Sequence, residues 1–221
     1  METVVPQHHF SDEVLLDYSA GNATEALGLP VGCHLDLCTD CRQRVADLEI
    51  VAGASLLTFG FSPAHDGVRA RLLGGLTPKS EPPPQSPALD PTLEALGLPA
   101  TLNRYLTAAS KPHWRLLVPG IREIRVGLRE PGAVARLVQL RPGVVIPLHD
   151  HEGPEYTVVF RGGLNEGDAH FQRGDVCVRD RGIDHEQQVE KGEDCIALVV
   201  NHGGLVPRTL KGRLFKLIAG A

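Results

Sequence analysis

The rhythm of apolar and polar positions changes once along this 221-residue chain. Up to about residue 77 the apolar residues recur at three- and four-residue steps, the spacing of helices with one buried face. Ser11, followed by Asp12 and Glu13, predicts an N-cap with acidic groups in the first turn; Val14, Leu15 and Tyr18 share a face and Gly21 is the stop. A longer helix is predicted after Thr39, with Val45, Leu48, Ala52 and Leu56 as its stripe, and a short one from Val68 to Leu76. Between them, Asn22 and Glu25 form a cap pattern, but Gly28, Pro30 and Gly32 predict a kinked or broken element before His34.

The segment from Pro78 to Pro91 holds six prolines in fourteen residues, which removes backbone donors and predicts an extended, semi-rigid linker over 78–92. Beyond it the pattern becomes one of short strands. Ala133–Leu140, Tyr156–Phe160 and Cys195–Val200 are β-rich runs, and Glu130-Pro-Gly132, Arg141-Pro-Gly143 and Arg173-Gly-Asp175 are turn signals between such runs. Arg213–Ile218 reads as one more strand. The expected architecture is multi-domain α + β: a small all-α unit over 1–77, the linker, and an all-β barrel or sandwich over 93–221.

Composition adds little to this picture and charge rather more. Hydrophobic residues make up 42% of the chain and charged residues 22%, as in soluble globular proteins, and no apolar run is long enough for a membrane span. The first residues lack a basic segment followed by an apolar one, so a cytoplasmic protein without membrane contact is expected. The net charge of −5 is uneven: the first fifty residues carry nine acidic groups against Arg42 and Arg44 alone. That balance argues against direct nucleic-acid binding and is compatible with a basic protein partner. The five cysteines are too sparse for a disulfide scaffold, and the Cys38/Cys41 pair has the spacing of a metal or redox site.

Two constellations carry chemistry. In the first, His34 and Cys38 are four apart and share a helical face, and Cys41 follows three residues later. Two thiolates and an imidazole suit tetrahedral Zn²⁺, with His8 or His9 as the fourth ligand, a choice that spacing leaves open. A redox CxxC normally follows a strand in a βαβ unit, which is missing here. In the second, Gly143-x5-His149-x-His151-x3-Glu155-x6-Gly162 is followed by Gly174-x5-Asp180-x-Gly182-x2-His185. On a strand His149 and His151 face the same side, so three imidazoles and one carboxylate can converge. Such a set suits Zn²⁺, Fe²⁺, Mn²⁺, Ni²⁺ or Cu²⁺ without choosing among them. This arrangement resembles both cupin motifs, with Asp180 where the family usually has proline and Val189 where its second motif ends in asparagine. The resemblance implies a jelly-roll β-barrel with His149, His151, Glu155 and His185 as metal ligands.

A second resemblance covers the N-terminal part. His8-His-Phe-Ser-Asp-Glu-Val-Leu-Leu-Asp-Tyr-Ser-Ala-Gly21 with His34-Leu-Asp-Leu-Cys-Thr-Asp-Cys41 is similar to the zinc-binding anti-sigma domain of the ChrR type. It aligns the family's first ligand with His9 and the others with His34, Cys38 and Cys41. It implies a helical unit that wraps a group IV (extracytoplasmic-function) sigma factor, and a cupin domain needed for release on singlet oxygen or organic peroxide. Related chains carry two alternating cysteines near Cys195; Ala197 stands at the second place here, so that pair cannot form a disulfide. The alternative is a cupin metalloenzyme of dioxygenase or isomerase type fused to a zinc-stabilised interaction domain. No acid/base pair beyond the metal ligands stands out, and no catalytic residue is assigned.

Overall fold

The computed structural model describes residues 5–58, 66–75, 91–108 and 112–219. The helices are α1 (Asp12–Ser19), α2 (Glu25–Leu37), α3 (Thr39–Thr58), α4 (Asp66–Gly75), α5 (Pro91–Glu94) and α6 (Ala100–Ala108), with α7 (Leu210–Ala219) at the far end. The strands are β1 (Arg115–Val118), β2 (Ile121–Val126), β3 (Ala133–Leu140), β4 (Val145–His151), β5 (Glu155–Arg161), β6 (Leu164–Glu166), β7 (Ala169–Phe171), β8 (Val176–Arg179), β9 (His185–Val189), β10 (Cys195–His202) and β11 (Leu205–Pro207). They form two antiparallel sheets, ordered β1-β2-β3-β10-β5-β8 and β11-β4-β9-β6-β7. The expected class, helical first and antiparallel β second, is what the chain adopts. The predicted linker lies outside the described residues up to Asp90, and Pro91 and Thr92 already open α5.

One apolar cluster fills the space between the sheets, with Ile121, Val138, Leu140, Val159, Leu164, Phe171, Cys195 and Ala197. A larger one joins the outer face of the six-stranded sheet to the helices: Ile124, Leu137, Val158, Phe160, Leu198 and Val200 pack with Phe10, Leu15, Leu29, Val31 and Leu102. The molecule is therefore layered, helices on sheet on sheet. This explains the unbroken run Cys-Ile-Ala-Leu-Val-Val in β10. Cys195 and Ala197 face the second sheet while Ile196, Leu198 and Val200 face the helices, so neither side needs polar residues.

Several local predictions hold. Ser11 caps α1 by accepting from the Val14 N–H, and Gly21 takes the left-handed φ of 73° that stops the chain there. Gly132, Gly143 and Gly174 also have positive φ, as the turn signals implied.

Three predictions are corrected. The stretch before His34 is neither kinked nor broken: α2 runs continuously from Glu25 and is capped by Thr24 rather than Asn22. Pro30 lies in its interior, a position that costs a helix about 3 kcal/mol, but Leu29, Pro30, Val31, Cys33 and His34 are all buried. At roughly 1.5–3 kcal/mol for each large side chain, that burial outweighs the proline. Gly32 is there for packing, since a Cβ would lie 2.9 Å from the Thr101 methyl of α6. The stripe of α3 is buried only at its start: Val45 is buried and Leu48 partly so, while Ala52 and Leu56 are exposed. Residues 213–218 belong to α7, not to a strand; Thr209 accepts from the Gly212 N–H and starts the helix, a cap signal that outranks a short apolar run.

Two candidate metal centres

The first centre lies where the extended segment before α1, the end of α2 and the start of α3 meet. His9, His34, Cys38 and Cys41 present ligand atoms that all lie within 4.8 Å of one another. His9 Nδ1 is 3.5 Å from the Cys38 sulfur and 3.4 Å from that of Cys41. Tetrahedral bonds of about 2.3 Å to sulfur and 2.0 Å to nitrogen give an N–S edge of about 3.5 Å. His34 Nδ1 donates to the Gly174 carbonyl at 2.7 Å, leaving Nε2 buried with no hydrogen-bond partner. An orphaned buried imidazole nitrogen facing two thiols is what a metal would satisfy. Burial lowers the His34 pKa to about 4, so its ring is neutral, and pushes the Cys41 thiol up to about 12. Ionising that thiol therefore calls for a cation beside it. His8 is not in the group; its ring stacks on Phe171 with centroids 4.5 Å apart.

The second centre sits at the mouth of the barrel. His149 and His151 come from β4, His185 from β9 beside it, and Glu155 from the start of β5 in the opposite sheet. Their ligand atoms also lie within 4.8 Å of one another, and all four residues are buried. His151 Nε2 is 2.9 Å from His185 Nε2 and 3.4 Å from the Glu155 carboxylate. Adjacent ligands about 2.1 Å from an ion and at right angles are about 3 Å apart. The rings are oriented from behind, His149 Nδ1 donating to the Pro147 carbonyl at 2.8 Å and His185 Nδ1 to Glu166 at 2.9 Å. Burial lowers His149 and His151 to about 4 and raises Glu155 to about 7. Burial acts to raise Glu166, but hydrogen bonds from His185 and Arg179 bring it down to about 2. Two neutral imidazoles, His149 and His151, beside a third ring backed by the Glu166 carboxylate make a good cation site.

Beside this centre is a cavity of about 100 Å³, lined by apolar Ile121, Val138, Leu140, Ile146, Leu164 and Val199, with His149 and Glu155 at one side. Its polar lining is Arg136, Thr157 and Gln187. Arg136 is held by Asn201 at 2.9 Å and by buried Glu123 at 3.2 Å, and the Thr157 hydroxyl has no partner. Sequence reasoning missed Arg136, Thr157 and Glu166: Arg136 and Glu166 stand outside any motif, Thr157 occupies an unspecified position of the first, and each acquires its role by facing inward on β3, β5 and β6. The exposed His170, on the hairpin of β6 and β7, bonds Asn165 and pairs with Glu190. Cys33, Cys177 and Cys195 are buried free thiols whose pKa burial raises, the state of packing residues.

An antiparallel two-sheet barrel with three histidines and a glutamate at its mouth defines a cupin, and this one carries a helical layer with its own His/Cys cluster. A sequence profile described as the ChrR Cupin-like domain matches residues 103–205. The anti-sigma-E factor ChrR of Cereibacter sphaeroides is 31% identical over 200 residues, covering 90% of this chain and 91% of that protein. The chain belongs to the ChrR family of anti-sigma factors. A crystal structure of Rhodobacter sphaeroides SigE in complex with the anti-sigma ChrR contains a similar chain, with a TM-score of 0.71 and 29% identity over 89% of this chain and 99% of that one. Among the described residues no helix is long and apolar enough to cross a membrane.

Proposed function

We propose that this protein is a cytoplasmic anti-sigma factor whose helical N-terminal part, residues 1–77, sequesters an extracytoplasmic-function (group IV) sigma factor. Release follows oxidative stress such as singlet oxygen or organic peroxide, and the cupin part, residues 93–221, serves the response. The observation that carries this reading is the exposed apolar surface on α3 and α4, in a chain 29% identical to one solved with a sigma factor bound. Ile50, Val51, Leu56 and Leu57 on α3 and Val68, Leu72 and Leu73 on α4 are all about half exposed or more. Covering these side chains is worth roughly 10 kcal/mol before the costs of association, the scale of a tight protein complex. The acidic first fifty residues add attraction for a basic partner.

In this reading Zn²⁺ at His9, His34, Cys38 and Cys41 holds the start of α3 against α2 and the N-terminal segment, and so sets the angle at which the apolar surface is offered. The cupin residues His149, His151, Glu155 and His185 would hold Zn²⁺ or another divalent ion (Fe, Mn, Ni or Cu), which would supply Lewis acidity toward a small oxidant. The adjacent cavity is apolar with an arginine and a free hydroxyl, suited to a compact organic molecule with one oxygen-bearing end. The test is co-purification of the full chain with its sigma factor, with and without a chelator, and then with an organic hydroperoxide. A zinc-dependent complex that the oxidant dissociates is expected. Failure to form a complex with any extracytoplasmic-function sigma factor of the source organism would end the inhibitory role, and catalytic turnover of the hydroperoxide without dissociation would favour an enzyme.

A further inference from the structure

The first metal centre is not built by the helices alone. The turn between β7 and β8, residues 172–175, belongs to the barrel, yet it touches the elements carrying two of the four candidate ligands. Asp175 is fully buried. Its Oδ2 accepts from the Gln172 N–H at 2.8 Å and closes the turn. Its Oδ1 faces the other way and accepts from the N–H groups of Gln7 at 2.6 Å and His8 at 2.9 Å. Val176, the next residue, donates its N–H to the His8 carbonyl at 3.1 Å. Gly174 has a φ of 91° that only glycine adopts easily, and a Cβ there would lie 2.6 Å from the Pro6 ring. Its carbonyl is the acceptor that turns His34 so that Nε2 points at the thiols. The barrel thus grips residues 6–8, one step before His9, and orients His34 with the same three-residue stretch.

We propose that this turn is a clamp by which the cupin barrel positions His9 and His34, with Asp175 as the positioning residue for the thiolate centre. The inference rests on the reading of that centre as a metal site. A ligand on a loose N-terminal segment must be ordered each time the ion binds, and a carboxylate that fixes the two preceding amides removes that cost beforehand. The clamp also gives the barrel a grip on the zinc site. Strand β8, about 10 Å of chain, begins at the clamp and ends at Arg179, which pairs with Glu166 behind the cupin ligand His185.

The two centres can be read separately with Co²⁺. Thiolate ligands give a near-ultraviolet charge-transfer band that a site of nitrogen and oxygen donors cannot give, so this band reports the first centre only. In the full chain, Asp175→Ala is expected to weaken Co²⁺ at that centre at least tenfold against a competing chelator. Asp175→Asn keeps one oxygen for the Gln7 and His8 amides and should recover part of the loss. Gln7→Pro deletes one of the two clamped N–H groups without altering the barrel and should cost at least threefold. If Asp175→Ala also unfolds the barrel, Gln7→Pro decides. Affinity within twofold of the parent in Gln7→Pro, or in a folded Asp175→Ala, overturns the clamp. Absence of the band in the parent protein overturns the metal reading instead.

Discussion

The two candidate centres differ in where their ligands come from, and that difference sets how each should respond to damage. The cupin centre takes all four ligands from strands, and the pairing of β4 with β9 and of β5 with β10 and β8 already fixes three of those backbones. The thiolate centre takes one ligand from an extended segment, one from α2, one from the extended residue that joins α2 to α3, and one from the first turn of α3. Among the described residues no strand ladder holds these together; the segment is tied to the barrel turn by the Val176 N–H on the His8 carbonyl and by the Asp175 carboxylate. One site is a by-product of a sheet that exists anyway. The other is a junction whose parts stay aligned only if something bonds them.

The sharpest break of that comparison is Cys41→Ser. Removing a thiolate from the junction is expected to cost about 3 kcal/mol or more of stability and to weaken the sigma-factor complex at least 100-fold, both measurable by calorimetry. His149→Ala with His151→Ala should empty the cupin centre yet leave sigma-factor binding intact, while abolishing dissociation by peroxide. Equal losses from the two replacements would remove the distinction.

Gly32→Val tests the packing that brings α2 to the junction. The added Cβ would crowd Thr101 at 2.9 Å, and overpacking of this kind costs about 1–3 kcal/mol, read as a lowered thermal midpoint. A weaker, separable effect is proton competition. Cys41, raised to about 12 by burial, holds its proton at neutral pH, so each ion bound there expels at least one proton. Affinity at the junction should fall at least tenfold for each unit of pH lost, since one proton per ion sets that slope. At the cupin centre His149 and His151, lowered to about 4, have no proton to lose near neutrality. Glu155, raised to about 7, is half protonated at that pH and costs the ion only about twofold between pH 8 and 7. Between pH 7 and 8 the two metal titrations should therefore diverge. The smallest effect is expected for Ser11→Ala, a lost cap of about 1 kcal/mol that should leave both metal titrations unchanged.

Much of this was legible in the order of residues. Local chemistry is written locally: a Ser-Asp-Glu start, a glycine at a positive-φ turn, and histidines two apart on a strand all act through neighbours within a few positions. Because the side-chain period of a strand is two, His149 and His151 had to face one way. The shared helical face expected for His34 and Cys38 did not form, because α2 ends at Leu37 and Cys38 is the extended residue that caps it; the two still meet through the turn into α3. The same reasoning failed at α2, where the propensities of Gly28, Pro30 and Gly32 are real but smaller than the burial they oppose. It failed again at residues 213–218, where a threonine cap decided between two readings of a short apolar run.

What the chain alone determined was the change from helical to strand rhythm and the two candidate ligand sets, apart from the choice between His8 and His9, since these rest on spacing and donor type. Only the tertiary structure decided that the helices lie on the six-stranded sheet, that His9 and not His8 meets the thiols, that Asp175 holds the two amides before His9, and that Glu166 stands behind the candidate ligand His185. Each of these depends on contacts between residues far apart in sequence, up to 168 positions for Gln7 and Asp175. No local pattern encodes such a pairing; it follows from burying two apolar faces at once.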